Sequence, residues 1–155
     1  MEITNCTQID FLTIHESVHR FWDDDSILHI HHPVLVNEFA DTSFVLKDGK
    51  TITAYLFGFF SQTKPVAYIH LVGVDRDYRN QGLGRKLYGH FEKIALQKGC
   101  EYLKAITTLT NSGSISYHKA LGFEMTGGDV AGELRYVKNY SGPNNDRVVF
   151  MKKIS

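Results

Sequence analysis

Cysteine is scarce in this chain. Cys6 and Cys100 are the two present among 155 residues, without CxxC spacing and without histidine partners at zinc-finger distances. A disulfide scaffold and a zinc ribbon are therefore excluded. The two thiols are read as reduced, against the alternative of a single disulfide in an exported chain. Proline is nearly as rare, and none of Pro33, Pro65 and Pro143 marks a linker. With no repeat or low-complexity tract, residues 1–155 are expected to form a single domain. No charge of one sign dominates, since Lys+Arg and Asp+Glu each total 17 and the pI is about 7.1. A general affinity for nucleic acid or a membrane surface is not expected. Long apolar runs are missing too: residues 54–60 and 66–74 are the longest and are strand-length, not membrane-length. The opening MEITNCTQIDF has neither a basic nor an apolar region of a signal peptide, so a cytoplasmic location is expected. What remains is 43% hydrophobic and 22% charged, which excludes a largely disordered chain and suffices for one core.

Hydrophobic periodicity supplies the elements. Residues 9–21 read as an amphipathic helix with Ile9, Leu12, Glu16 and Arg20 at helical spacing. The acidic run at residues 23–25 breaks it, and residues 28–37 suggest a second short helix. Strands are expected at 42–47, 51–61 and 66–74, joined by an Asp48-Gly49 hairpin and a turn at 62–65. The clearest helix spans 82–98, where Leu83, Leu87, Phe91, Ile94 and Ala95 share a face and Gly99 follows as a stop. Gly89 inside it costs about 1 kcal/mol relative to Ala, so packing is expected to hold the helix. A strand at 102–108, a helix at 112–121 capped by Asn111 or Ser112, a mixed segment at 129–146 and a strand at 147–152 complete the chain. The order is that of an α/β layer with a helix on at least one sheet face.

Residues 72–87, VGVDRDYRNQGLGRKL, run from a strand through a glycine turn into a helix. Such a junction binds anions. The first helical N–H groups lack internal partners, and the helix dipole places about half a positive charge there. Arg79, Arg85 and Lys86 add charged donors. A P-loop is excluded because GxxxxGK[ST] is not present, and a dinucleotide fingerprint is excluded because Leu87 holds its third glycine position. What is left is RxxGxG, Arg79-Asn80-Gln81-Gly82-Leu83-Gly84, whose alternative is a tight turn with solvated arginines.

A second motif follows the next strand: residues 111–123, NSGSISYHKALGF. The pair, at this separation, resembles the GNAT superfamily of acyl-CoA-dependent N-acetyltransferases. The stretch from Val66 to Phe123 carries the likeness, and the flanks agree in element order. The resemblance implies an α/β (α+β) fold: a mixed, mostly antiparallel central sheet splayed between strands 4 and 5, with helices on both faces. It implies acetyl-CoA (coenzyme A) as cofactor. By position, the turn Arg79, Asn80, Gln81, Gly82, Leu83, Gly84 and Arg85 would bind the pyrophosphate, with the N–H groups of Gln81, Gly82, Gly84 and Arg85 holding it. Val72 and Val74 would pair with the pantetheine arm, and Asn111 and Ser114 would contact the cofactor further along. The Val74 N–H would form the oxyanion hole. No metal is implied.

Acetyl transfer needs a neutral amine, and freeing a lysine-like amine at pH 7 costs about 4–5 kcal/mol. His70 lies four residues before Val74, on the same strand face unless Gly73 marks a bulge. Some relatives take a base from this strand, which makes His70 the base candidate and a satisfied core histidine the alternative; Tyr68 is a further candidate. The family's leaving-group acid is a tyrosine five residues before the GF phenylalanine. Here that position is His118, which also falls at the cofactor, with Tyr117 beside it. This departure leaves His118 open as imidazolium acid or as a hydrogen bond to sulfur, and Tyr117 as the acid or as core. His29, His31 and His32 look like a metal cluster but lack a fourth ligand; a solvated or capping segment is expected. Tyr136, Tyr140 and Asp146, like the segments at 21–22 and 28–32, are candidates for shaping an acceptor pocket. The sequence thus points to an N-acetyltransferase acting directly on a primary amine of a small molecule or peptide. A homodimer is possible. The alternatives are a non-catalytic acyl-CoA sensor or partner-binding domain, and a coincidence of motifs.

Overall fold

The structure is a computed structural model of the chain and describes residues 1–23, 25–63 and 65–155. Asp24 of the acidic run and Lys64 of the expected turn lie outside the described residues. The chain divides into two compact units. The first comprises Met1–Phe59 and Ile69–Ile94, the second Phe60–Tyr68 and Ala95–Ser155.

The first unit contains β1 (Glu2–Asn5), α1 (Gln8–Glu16), 3-10 turns at Val18–Arg20 and Asp25–Ile30, α2 (Val34–Asn37), β2 (Ser43–Asp48) and nearly all of β3 (Thr51–Phe60). It also holds residues 69–74 of β4 (Val66–Val74) and most of α3 (Leu83–Gln97). Its strand order is β1-β2-β3-β4, and β1 and β3 both run antiparallel to β2. The edge strand β1 was not expected from its sequence.

α1 is capped where its sequence dictates. Thr7 accepts from the Asp10 N–H, and the Asp10 carboxylate accepts from the Thr7 N–H, a reciprocal capping box. Asp10 is buried and paired with Lys47 at 2.9 Å. The helix is shorter than the periodicity predicts, and its buried face differs from the expected one. Phe11 and Ile14 are inside, whereas Ile9 and Leu12 are exposed. The long aromatic side chain of Phe11 reaches Phe57, and burying it outweighs burying the two smaller aliphatics. The second expected helix, 28–37, is divided between the end of the 3-10 turn at 28–30 and the single turn of α2 at 34–37.

α3 matches its prediction closely. Leu83, Leu87 and Phe91 are buried in the first unit and Ala95 in the second. Gly99 ends the helix at φ 85°, with the Cys100 N–H returning to the Ala95 carbonyl at 2.9 Å. Gly89 sits away from the buried face formed by Leu83, Leu87 and Phe91, whose packing holds the helix. It is exposed, and a Cβ built there would meet nothing within 4 Å.

The second unit has strand order β4-β5-β9-β6, with β5 (Tyr102–Thr107), β6 (Glu124–Thr126), β9 (Val148–Lys153) and a separate hairpin of β7 (Asp129–Ala131) and β8 (Leu134–Tyr136). β5 and β6 run antiparallel to β9. β4 and β5 are parallel, and their register joins Val66, Ala67 and Tyr68 to Tyr102, Leu103 and Lys104. The sheet pairings are therefore mostly antiparallel with one short parallel contact. α4 (Ser112–Ala120) lies between β5 and β6 in sequence. Leu103, Val148 and Phe150 are fully buried in this unit.

Because Gly89 occupies an open helical position, replacing it with alanine removes a backbone-entropy penalty at no steric cost. Gly89→Ala is expected to raise unfolding stability by about 1 kcal/mol, measured by urea denaturation.

Candidate active site

In the first unit the burial of β4 alternates without interruption from Ile69 to Val74. His70, Val72 and Val74 are half-buried on one face, with Ile69, Leu71 and Gly73 buried on the other. Gly73 therefore does not reset the face. Its lack of a side chain serves another purpose: a Cβ there would lie 2.6 Å from the Tyr55 ring.

The chain leaves β4 at Asp75, which is 2% exposed. Its carboxylate accepts from the Asp77 N–H at 3.0 Å and pairs with Arg20. Two further arginines tie this turn to residues 21–23. The Arg76 guanidinium donates to the Trp22 carbonyl at 3.1 Å and to Asp23 at 2.8 Å. That of Arg79 donates to the carbonyls of Phe21 at 2.9 Å and Val74 at 3.3 Å. Arg79 thus spends donors on the backbone. Asn80 and Gly82 follow with φ of 61° and 75°, left-handed values that asparagine tolerates and glycine prefers. A Cβ on Gly82 would meet nothing within 4 Å, so the space beside this backbone is open. The Lys86 N–H donates to the Gly82 carbonyl at 3.0 Å, making Gly82 the cap of α3. The N–H groups of Leu83, Gly84 and Arg85 precede that first helical bond and point out of the helix end. Gln81, Gly82 and Arg85 are exposed, while Leu83 and Gly84 are buried. Lys86 extends its ammonium to the Met1 carbonyl at 3.2 Å.

His70 donates from Nε2 to the Ile30 carbonyl at 3.0 Å. A carbonyl only accepts, so the ring proton sits on Nε2 and the lone pair of the neutral ring on Nδ1. Burial pushes this imidazole below its ordinary range, against the raising effect of that hydrogen bond.

In the second unit Asn111 caps α4, its side-chain oxygen accepting from the Ser114 N–H at 3.1 Å. Gly122 (φ 91°) ends the helix, and the Phe123 N–H returns to the His118 carbonyl at 3.0 Å. The His118 ring is 6% exposed. It stacks on Phe150 at 4.5 Å and stands edge-on to Phe123 at 5.2 Å. Its Nδ1–H donates to the Ser114 carbonyl at 2.8 Å, with the Ser114 hydroxyl 3.2 Å away. Burial lowers its pKa, so the ring is neutral near pH 7 and its lone pair lies on Nε2. The Tyr117 hydroxyl oxygen is buried. Tyr68 is buried enough for its phenol to be pushed up to about 12, by desolvation first and by Tyr140 second.

A model of the acetyltransferase (GNAT) family matches residues 5–123. The chain belongs to the GNAT acetyltransferase family. An uncharacterized N-acetyltransferase of Methanocaldococcus jannaschii is 35% identical over 77 residues, covering 50% of this chain and 34% of that protein. The thialysine N-epsilon-acetyltransferase of Bos taurus is 31% identical over 68 residues, 44% of this chain and 40% of that protein. The matched stretches thus span well under half of either curated relative. Among solved structures, the NatC complex bound to Gag peptide and CoA is similar in fold, with a TM-score of 0.74, 14% identity and coverage of 100% of both chains.

Within this GNAT chain each unit gathers its own part of the expected set. The first holds His70, Val72, Val74 and the turn from Arg79 to Arg85; the second holds Asn111, Ser114, Tyr117 and His118. Sequence reasoning missed the bracing of the turn by Arg20, Asp75 and Arg76, for which no local pattern gives a signal. Of the three clustered histidines, His32 caps α2 as expected, its Nδ1 accepting from the Val34 N–H at 3.1 Å, and His29 is exposed. His31 is a correction to the expected solvated segment: it is 2% exposed. Among the described residues no cluster of His, Cys, Asp or Glu suits a metal, and no helix is long and apolar enough to cross a membrane.

Burial lowers the pKa of His31, His70 and His118. Each therefore binds its proton more readily in the unfolded chain. Their contribution to stability is complete above the unfolded value of about 6.5 and is lost as pH falls below it. Urea midpoints are expected to hold steady from pH 8 to 7 and to fall progressively from pH 6.5 to 5.

Proposed function

We propose that the chain is an N-acetyltransferase carrying an acetyl group from acetyl-CoA directly to a primary amine of a small molecule or peptide, with residues 1–155 acting as one such domain. One observation carries the reading: a left-handed Gly82 with open space beside it, at the head of a 15-residue helix whose first N–H groups point outward. That donor set fits a diphosphate. The family membership supports the same cofactor, as does the CoA bound in the NatC structure.

When bound, acetyl-CoA supplies the activated thioester. The N–H groups of Gln81, Gly82, Gly84 and Arg85 hold its diphosphate, and the exposed Arg85 side chain adds charge. Asn80 and Leu83 shape the turn. Arg79 holds the turn through two of its five N–H donors, and its exposed guanidinium has others to offer the diphosphate. The main chain of Val72 and Val74 pairs with the pantetheine arm as an added strand. The Val74 N–H donates to the thioester oxygen as it becomes negative. His70, neutral because of its burial, takes the amine proton on Nδ1, directly or through water. The C–N bond forms, the C–S bond breaks, and the departing thiolate takes its proton from solvent or from one of the two acid candidates, charged His118 or Tyr117. Asn111 and Ser114 hold the cofactor further along its length.

His118 has no proton on Nε2 while neutral, so it accepts a hydrogen bond from the thiol product. To act as acid it must first be charged, and Tyr117 is the other acid candidate. The packing of His118 favours a second reading, an acyl-CoA sensor without turnover. Thiol release from acetyl-CoA across polyamines, amino acids, aminoglycosides and peptides separates the two: release with an amine supports the enzyme, and CoA binding without release supports the sensor. The bovine relative is named for thialysine and the NatC structure holds a peptide, so both classes belong in the panel. The protein works in the cytoplasm, as its free buried cysteines support, alone or as a homodimer.

Valine at position 82 meets both the left-handed backbone and the phosphate approach. Gly82→Val is expected to weaken acetyl-CoA binding about 10–100-fold by calorimetry, and unchanged affinity in a folded variant would refute the site. Phenylalanine at 118 preserves the stack on Phe150. His118→Phe removes the Nε2 acceptor and is expected to lower thiol release about fivefold, the loss of one neutral hydrogen bond, while acetyl-CoA affinity stays within twofold.

A further inference from the structure

We propose that Tyr55 and His31 are positioning residues that fix which nitrogen of His70 carries the proton, acting through the peptide that joins Ile30 to His31. The inference rests on the reading of His70 as the base. A neutral imidazole exists as two tautomers, and the hydrogen bond at one nitrogen selects between them. At His70 that bond is Nε2–H to the Ile30 carbonyl, 3.0 Å. The selection is only as firm as the placement of that carbonyl.

The Ile30 carbonyl belongs to a short 3-10 turn, Asp25–Ile30, in which none of the residues is buried. The next residue supplies the anchor. The His31 N–H, in the same peptide plane as that carbonyl, donates to the Leu28 carbonyl at 3.0 Å. The His31 side chain, 2% exposed, is held at both nitrogens. Nδ1 lies 2.9 Å from the Ile27 carbonyl and must donate to it. Nε2 of the neutral ring is then an acceptor, and the Tyr55 hydroxyl, 2.7 Å away, donates to it. Tyr55 in turn accepts from the Trp22 indole N–H at 2.7 Å. Every proton in this line has one direction: Trp22 to Tyr55, Tyr55 to His31, His31 to Ile27. The Tyr55 ring is fully buried between its neighbours, edge-on to Phe21 at 5.0 Å and tilted on Phe57 at 5.1 Å. A rigid phenol in a strand thus pins a turn that has no buried residue of its own, and the pinned turn presents its carbonyl to His70.

The test is long-range proton–nitrogen NMR of the full chain labelled at its histidine rings, which needs no acceptor. In the wild type His70 is expected as the Nε2–H tautomer; a mixture or the Nδ1–H form overturns the proposal without any variant. Tyr55→Phe removes one oxygen and keeps the ring packing. It is expected to reduce the His70 Nε2–H to Nδ1–H ratio about fivefold, the loss of one neutral hydrogen bond. An unchanged ratio in folded Tyr55→Phe overturns the proposal. Should that variant fail to fold, His31→Gln is judged by the same ratio. Thiol release by His70→Ala with the amine panel keeps the two readings apart. If His70→Ala retains wild-type release while Tyr55→Phe shifts the ratio, the base assignment fails and tautomer control stands. If His70→Ala abolishes release and Tyr55→Phe leaves the ratio unmoved, the base stands and the positioning role fails.

Discussion

A carboxylate taken out of water must find charge and hydrogen bonds, or the fold around it becomes too costly to keep. Asp75 meets that demand at the point where β4 gives way to the glycine turn, with Arg20 and the Asp77 N–H as its partners. Around it, Arg76 and Arg79 reach back to the carbonyls of residues 21 and 22. The turn itself has little to stiffen it, because its left-handed residues Asn80 and Gly82 are exposed. Its stiffness comes from these links, each a charge-assisted donor on a backbone or carboxylate oxygen. The proposed diphosphate site depends on where its backbone amides stand. The ion pair at Asp75 is therefore upstream of everything the turn does.

The histidines show how far environment outweighs residue type. His29 is exposed, His32 caps a helix, His31 is a core member with both nitrogens bonded, His70 lends a lone pair on Nδ1, and His118 stacks in an aromatic cluster with its lone pair on Nε2. The partner at one nitrogen decides what the other can do. For His70 the partner leaves a proton acceptor. For His118 the same rule, with the Ser114 carbonyl at Nδ1, works against an acid at neutral pH.

Much of this is legible in the sequence. The apolar spacing of Leu83, Leu87 and Phe91, with glycines at both ends, defines α3 because helical period and capping chemistry are local. The alternation of β4 and the Asn111 cap are local too. The two motif segments could be read for the same reason. What escaped was decided by partners distant in sequence. β1 and β6 are short strands whose pairing, not composition, makes them strands. The buried face of α1 is chosen by Phe57, more than 40 residues away. His31 is singled out from its neighbours by Tyr55, and the engagement of Arg79 by the Phe21 carbonyl.

The closeness of Gly73 to the Tyr55 ring has an evolutionary corollary. Any larger residue at 73 collides with the phenol unless position 55 shrinks first, and a smaller residue at 55 dismantles the line of protons leading to His31. The two positions are epistatic, and each single step between paired alternatives passes through a damaged intermediate. Divergence of this lineage at either site is thus expected to wait for compensating changes in the histidine turn, so that the three places drift together or not at all.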